Sequence, residues 1–369
     1  MYRKDAIVVG EWIRNSNKAL LVTGARQTGK TWLIRDEIEK SGYTKFELNF
    51  IDQPDMVSYL NAEMSAEEFL IKLKMIMPED CKVHETVVFF DEIQKCPEIV
   101  TKIKFLVDEG SFKYVMSGSL LGVELKGIAS APVGYLTVLR MYPMDFEEFM
   151  VANNVSTTTL DMLEDKFKTV SPIEEFIHQK LLAMFFVYLI VGGMPDAVKT
   201  YIETKDIREV DRVQRDITTL YKEDFSQYEL EDRKLKLKSI YDIIPAELDK
   251  QNKKFVFTML NKELKFERYE NSFLWLKDAG VALPVYNVDA PVIPLLASKS
   301  SNVFRLFSSD IGLLTSAYPA ETKIELINKN GEVNNGAHFE NAVAQQLTAN
   351  GFEPFFCKKK NIGEMDFAI

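Results

Sequence analysis

The chain is poor in the residues that build disulfide frameworks and metal cages. Its three cysteines, Cys81, Cys96 and Cys357, have no paired spacing, which excludes a disulfide scaffold or zinc ribbon and suits a reducing compartment. Histidine is as scarce. His84, His178 and His338 are dispersed and read as surface or hydrogen-bonded side chains rather than ligands. The longest apolar run, Leu181 to Val191, falls short of the ~20 residues of a membrane span and predicts a buried helix. Met1-Tyr-Arg-Lys-Asp5 leads into no apolar core with a small-residue cleavage site, so no secretory signal is expected. A cytoplasmic protein without a membrane partner follows.

Positive charge is also in deficit. A net charge of −10 argues against nucleic acid coating the whole surface, though not against a local basic face. What remains is an ordinary globular composition, 46% hydrophobic and 27% charged over 369 residues, long enough for about two or three domains.

One stretch organises the rest. Ala19-Leu-Leu-Val-Thr23 is a short apolar strand, Gly24-Ala-Arg-Gln-Thr-Gly29-Lys30-Thr31 a glycine-bounded turn, and Trp32 to Lys40 an amphipathic helix. This is the G-x-x-x-x-G-K-[ST] pattern between a strand and a helix, the context that gives it meaning. Gly24 and Gly29 let the loop wrap with its N–H groups inward, and the helix aims its positive end at the same spot. Gly24, Ala25, Arg26, Gln27, Thr28, Gly29, Lys30, Thr31 and Trp32 are therefore the expected nucleotide-binding run. Lys30 would reach the β- and γ-phosphates of ATP, and the Thr31 hydroxyl would hold Mg²⁺.

The next strand, Thr86 to Phe90, is β-branched and aromatic throughout and is followed by Asp91 and Glu92. Such a run predicts a buried strand of a parallel sheet. An acidic pair at its carboxyl end would face the cradle mouth. Asp91 then serves as the Mg²⁺ partner and Glu92 polarises the attacking water; the plainer reading is an acidic turn without chemistry. Phe112 to Met116 forms another strand, ending in Ser117-Gly-Ser119, where a hydroxyl either senses the γ-phosphate or caps a turn. Around these lie a lead-in helix over 5–16 striped with Ile7, Val8, Trp12 and Ile13, a strand over 45–52, helix over 55–77 and from Pro97, and a fifth strand over 134–141. Strand and helix alternate, which predicts an α/β domain with a mostly parallel sheet.

Gly24-Ala-Arg-Gln-Thr-Gly-Lys-Thr31, Phe89-Phe-Asp-Glu-Ile-Gln-Lys95, Ser117-Gly-Ser119 and Met141-Tyr-Pro-Met-Asp-Phe-Glu-Glu-Phe149 resemble the prokaryotic AAA-family ATPases that carry a C-terminal domain of unknown function. The resemblance implies an AAA+ sheet with the cradle strand at its centre. It also implies that Lys30 and Thr31 bind ATP–Mg²⁺, that Asp91 holds the metal, and that Glu92 activates water. Ser117 or Ser119 stands where the family senses the γ-phosphate. The arginine that completes such a site is Arg26, Arg140, Arg212 or Arg215, and spacing does not choose among them.

Val151 to Thr159 is rich in Asn, Ser and Thr and predicts a linker or exposed loop. Residues 173–228 follow a helical pattern, broken at Gly192-Gly193-Met-Pro195, which ends one helix and starts the next; the family resembled carries the same four residues. Over 232–268 the chain holds ten Lys/Arg against six Asp/Glu, an excess set in an acidic protein. Three helices and the strand Val281 to Tyr286 resemble a winged-helix unit, so contact with DNA or RNA competes there with a merely solvated face. In the tail, Glu340 on a helix and Asp366 on a strand resemble two acids of the restriction-endonuclease fold, whose members gather carboxylates around a metal. The strand that should add another acid and a lysine does not occur before Ile369, so cleavage is not expected of this chain.

The expected architecture is α/β: an AAA+ P-loop domain over 1–150, a helical lid or linker over 151–228, a winged-helix-like module over 229–295, and an incomplete restriction-endonuclease-like tail over 296–369. The expected function is ATP hydrolysis that drives or gates a conformational change. The competing reading is a nucleotide-gated switch that binds DNA, RNA, a protein partner or its own copy, with negligible hydrolysis. A small-molecule kinase fits less well, because Asp91-Glu92 suits water activation.

Overall fold

The computed structural model describes residues 1–60, 64–119, 134–227, 231–250, 255, 270–328, 335–359 and 363–369. The chain divides into two compact units, Tyr2–Met141 and Tyr142–Ile369, and each is taken by itself.

In the first unit, five parallel strands are β1 (Ala19–Thr23), β2 (Thr44–Asn49), β3 (Thr86–Asp91), β4 (Lys113–Gly118) and β5 (Leu136–Arg140), in the order β2-β3-β4-β1-β5. The cradle strand β1 is interior but one place from the edge, and β4 takes the middle. Because side chains alternate along a strand, each strand feeds two cores. Val88, Phe90, Leu21, Tyr114 and Met116 pack on one face with Phe69, Leu73, Ile99 and Ile103, from α4 (Ala66–Ile76) and α5 (Glu98–Glu109). Val87, Phe89, Leu20, Val22 and Val115 pack on the other with Val9, Trp12, Ile13, Leu33 and Ile34, from α1 (Asp5–Asn15) and α2 (Lys30–Ser41). The sheet is thus covered by helices on both faces, as an all-parallel sheet requires.

Two readings of this region change in detail. The stripe of α1 runs Val9, Trp12 and Ile13, while Ile7 and Val8 are exposed, because successive residues are turned by about 100° on a helix. The helix expected over 55–77 is two elements, Pro54–Leu60 and Ala66–Ile76, the second opened by a capping box between Ser65 and Glu68.

The second unit is mainly helical, with a four-stranded mixed sheet in the order β7-β6-β8-β9, from β6 (Ala282–Val288), β7 (Lys299–Ser308), β8 (Phe355–Lys359) and β9 (Gly363–Ala368). The expected loop at 151–159 is mostly helix. Phe146–Ala152 is one helix and Thr157–Lys168 the next, and Ser156 caps the latter by accepting from the Thr159 N–H. Polar Ser and Thr here serve a helix start rather than a linker. The helix Glu175–Val191 is fully buried only over Tyr188–Val191. Of the winged-helix-like pattern, helices Glu231–Leu248 and Glu270–Asp278 and strand β6 are present; the helix expected from about 256 lies outside the described residues. Among the described residues, no helix is long and apolar enough to cross a membrane.

The double glycine is a packing node. Gly193 lies so close to Met144 that a Cβ would sit 1.9 Å from its carbonyl oxygen, and one on Gly312 would sit 2.4 Å from the Val191 carbonyl. The Gly193 N–H donates to Asp310 at 2.6 Å, and its carbonyl accepts from the Met144 N–H at 2.7 Å. Burial pushes the Asp310 carboxyl up to about 6, although the N–H groups of Gly193, Leu313 and Gly312 oppose the shift.

Candidate nucleotide-binding site

The cradle follows from two backbone constraints. Gly24 has φ +146° and a Cβ there would meet the Met141 carbonyl oxygen at 2.2 Å, so no other residue fits where β1 passes β5. Gly29, at φ 90°, is the left-handed residue directly before α2. The Thr28 hydroxyl closes the loop on the Ala25 carbonyl at 2.9 Å, and Arg3 fixes it from outside by donating to the Thr28 carbonyl at 2.9 Å.

Lys30 lies within this loop, buried, with its ammonium donating to the carbonyls of Gly24 (3.1 Å) and Ala25 (2.7 Å). Burial pulls its pKa down to about 8; Glu92 and Asp91 pull upward, and Arg26 adds to the depression. A buried ammonium held only by carbonyls is poorly compensated, and an anion in the loop would restore its charge.

Asp91 ends β3 and is buried, so its carboxylate must be satisfied by the protein. Three side chains from three elements do so. Thr31 Oγ1 lies 3.1 and 3.2 Å from its two oxygens, Asn49 donates at 3.0 Å, and Ser117 donates as well. Glu92 follows with φ 56°, a left-handed conformation costly for a residue with a side chain. Its carboxylate accepts from the Gln94 amide, which also lies 3.5 Å from Ser119 Oγ, and Arg26 Nε approaches that hydroxyl at 3.4 Å. A polar chain Glu92–Gln94–Ser119–Arg26 thus spans the mouth of the loop.

The structure brings Lys30, Thr31, Asp91, Glu92, Ser117 and Ser119 together at the carboxyl ends of β1, β3 and β4. Arg26 is in the loop itself, and Arg140 pairs in register with Thr23, the residue before it. Trp32 is 46% exposed at the first turn of α2. Arg212 and Arg215 belong to the second unit, on the helix Ile207–Gln227, where they pair with Glu209 and Asp211. Sequence reasoning passes over Asn49 and Arg3. Neither belongs to a motif, and Asn49 becomes visible only through the register that sets it beside Asp91.

The set of groups fits a nucleotide with its divalent ion: an ammonium, a hydroxyl and two carboxylates at a glycine-bounded loop that opens a helix. Thr31 and Asp91 would hold Mg²⁺, in a loop whose close approach admits no Cβ at Gly24.

In the second unit, Glu340 and Asp366 are also brought together, but around a cation supplied by the chain. Arg305 Nη1 lies 3.2 Å from Glu340 and 3.0 Å from Asp366, its Nη2 pairs with Glu364, and its guanidinium lies 4.5 Å from the Phe356 ring centre. Arg305 is 1% exposed. Among the described residues no group of three or more His, Cys, Asp or Glu is placed to hold a metal ion. His84 and His178 are at the surface, whereas His338 is buried, with neither ring nitrogen hydrogen-bonded and its pKa lowered to about 4 by burial. Its ring packs on Tyr318 instead, 4.7 Å between centres.

Residues 16–150 match the family model of an AAA domain, and residues 183–324 that of a domain of unknown function (DUF8612). A search of the curated proteins found no match. Among solved structures, the Walker-type ATPase of Pyrococcus abyssi is 14% identical over 85% of this chain and 95% of its own, with a TM-score of 0.46. AMPPCP-bound DnaA from Aquifex aeolicus is 12% identical over 75% of this chain and 89% of its own, with a TM-score of 0.36. At these values the structural likenesses carry no functional argument. The family match and the geometry of the loop make residues 16–150 an AAA-type P-loop domain, in a chain whose residues 183–324 match a family of unknown function.

Proposed function

We propose that the chain binds ATP with Mg²⁺ and hydrolyses it, coupling the nucleotide state to a conformational change. The observation that carries this reading is the Thr31–Asp91 contact of 3.1 Å, with Lys30 beneath it and Glu92 beside it. Lys30 exchanges the Gly24 and Ala25 carbonyls for β- and γ-phosphate oxygens. Thr31 and Asp91 would hold the Mg²⁺, which neutralises charge on those phosphates. Glu92 orients a water and accepts its proton. Ser117 and Ser119 are the candidates to read the γ-phosphate, and Arg26 or Arg140 to add the remaining positive charge.

One observation favours a gated enzyme over an unregulated one. The Glu92 carboxylate accepts from the Gln94 amide through one oxygen, so movement of Gln94 would reorient the base. The switch reading, in which DNA, RNA, a protein or a second copy is the true ligand, gains support from the basic excess over 232–268. A winged-helix-like arrangement there, and a restriction-endonuclease-like tail with a binding role, are the finer forms of that proposal. Phosphate release should be measured with and without DNA and RNA, on wild type and Glu92→Gln. Release that needs no Glu92 removes the hydrolytic mechanism; tight ATP binding without release leaves the switch.

A further inference from the structure

The amino ends of the sheet hold a second polar concavity. Lys18 immediately precedes β1, Tyr43 precedes β2, His84 lies just before β3, and Lys113 opens β4. These four strands are consecutive in the order β2-β3-β4-β1, so the segments that enter them share one rim. Together with Arg14 from the last turn of α1 they line a cavity of about 510 Å³. That volume falls among small-ligand sites, roughly 300–1,000 Å³. Because every strand of this sheet is parallel, the cavity lies at the opposite end from the phosphate cradle, about one strand length (~17–20 Å) away.

Its charge is unusual for a protein of net charge −10. Arg14, Lys18 and Lys113 line it, and no Asp or Glu does. Lys113 donates to the Ser16 carbonyl at 2.6 Å, and burial alone lowers its pKa, with no carboxylate to offset the loss of water. A partly desolvated ammonium is stabilised by an anion beside it. Glu109, next to the rim, is already engaged by Ser111 and Lys74. The half-buried Tyr43 and exposed His84 add flat rings to the same wall.

We infer that this cavity binds a phosphate monoester, carried either by a free mononucleotide or by the 5′ end of a nucleic acid strand. Three cations supply the charge, and Tyr43 with His84 offers a face for a base to stack on. The site is independent of the cradle and stands whether or not the chain hydrolyses ATP.

The test uses the full chain carrying Lys30→Ala, which disables the cradle, titrated calorimetrically with 5′-AMP, a 5′-phosphorylated thymidine trinucleotide and its unphosphorylated twin. Wild type with its cradle saturated by a non-hydrolysable ATP analogue is the second arm, should Lys30→Ala fold poorly. One molecule of 5′-AMP or phosphorylated trinucleotide is expected to bind. Adding Arg14→Glu and Lys18→Glu, both at exposed positions, should weaken that binding by about tenfold or more. Binding of 5′-AMP alone assigns a free mononucleotide; tighter binding of the phosphorylated trinucleotide than of either other probe assigns a strand end. No binding by either phosphorylated probe, or binding indifferent to both charge reversals, overturns the proposal.

Discussion

Thr31 Oγ1 faces both carboxylate oxygens of Asp91, at 3.1 and 3.2 Å. A hydroxyl at the start of a helix and an acid at the end of a neighbouring strand are thereby fixed as one pair. Asp91→Asn keeps the shape and loses the charge. It should weaken Mg²⁺ affinity, raising the Mg²⁺ concentration that gives half-maximal ATP binding by about 10–100-fold. An unchanged midpoint would remove Asp91 from the metal.

Glu92→Gln should bind ATP as wild type does and turn it over roughly 10²–10⁴-fold more slowly. The Gln94 contact adds a second, opposite expectation. Gln94→Ala removes the group that holds the Glu92 carboxylate, so basal turnover should rise while ATP affinity stays level. Steady-state phosphate release alongside equilibrium ATP binding separates the two. A Gln94→Ala protein slower than wild type would show that Gln94 positions the base rather than restraining it.

Lys30 sets a pH dependence. Its pKa is about 8 in the free protein, and a bound triphosphate, being anionic, raises it. Below that value the ammonium is charged before and after binding, and affinity is flat. Above it, binding must take up a proton, and affinity should fall by about tenfold per pH unit until the ordinary lysine range is reached. Calorimetry near pH 9 in buffers of different ionisation heat would detect the uptake, since about one proton is expected there. Lys30→Arg, always charged, should show none.

The first unit was legible because its signals are local. The cradle, the Thr86–Phe90 run and the Ser65 cap each sit within a few residues, and all appear in the structure as elements of the expected kind. What stayed hidden depends on register or on distant packing. Asn49 reaches Asp91 through the pairing of β2 with β3, and Ile7 and Val8 fall outside a stripe that only the packing of α1 defines. In the second unit β6 pairs with both β7 and β8, a non-local arrangement that no single stretch announces. Arg305 likewise draws its partners Glu340, Glu364 and Asp366 from two other elements, and nothing beside it in sequence marks it as buried.

Gly193 offers the sharpest stability test in the second unit. A methyl there would have to occupy space 1.9 Å from a backbone oxygen, and backbone cannot rotate aside as a flexible side chain can. Gly193→Ala should cost about 3 kcal/mol or more, measured by denaturant melting of the full chain with separate probes for the two units. A variant as stable as wild type would show that Met144 and Gly193 are not in contact.

Arg305 is the buried cation of the C-terminal sheet. Its guanidinium is 1% exposed and gathers three carboxylates, so removing it leaves like charges near one another, with Lys358 still paired to Glu364. Because Glu364 and Asp366 are partly open to water, the cost falls below that of a fully buried pair, and Arg305→Leu should destabilise the second unit by about 1–3 kcal/mol. Arg305→Lys should recover little, because one compact ammonium cannot reach acids spread across a planar fork. Restoring charge balance from the other side is the discriminating step: Arg305→Leu combined with Glu340→Gln and Asp366→Asn should regain much of the loss. If the triple variant is no more stable than Arg305→Leu alone, packing against Phe356 rather than ion pairing is what Arg305 contributes.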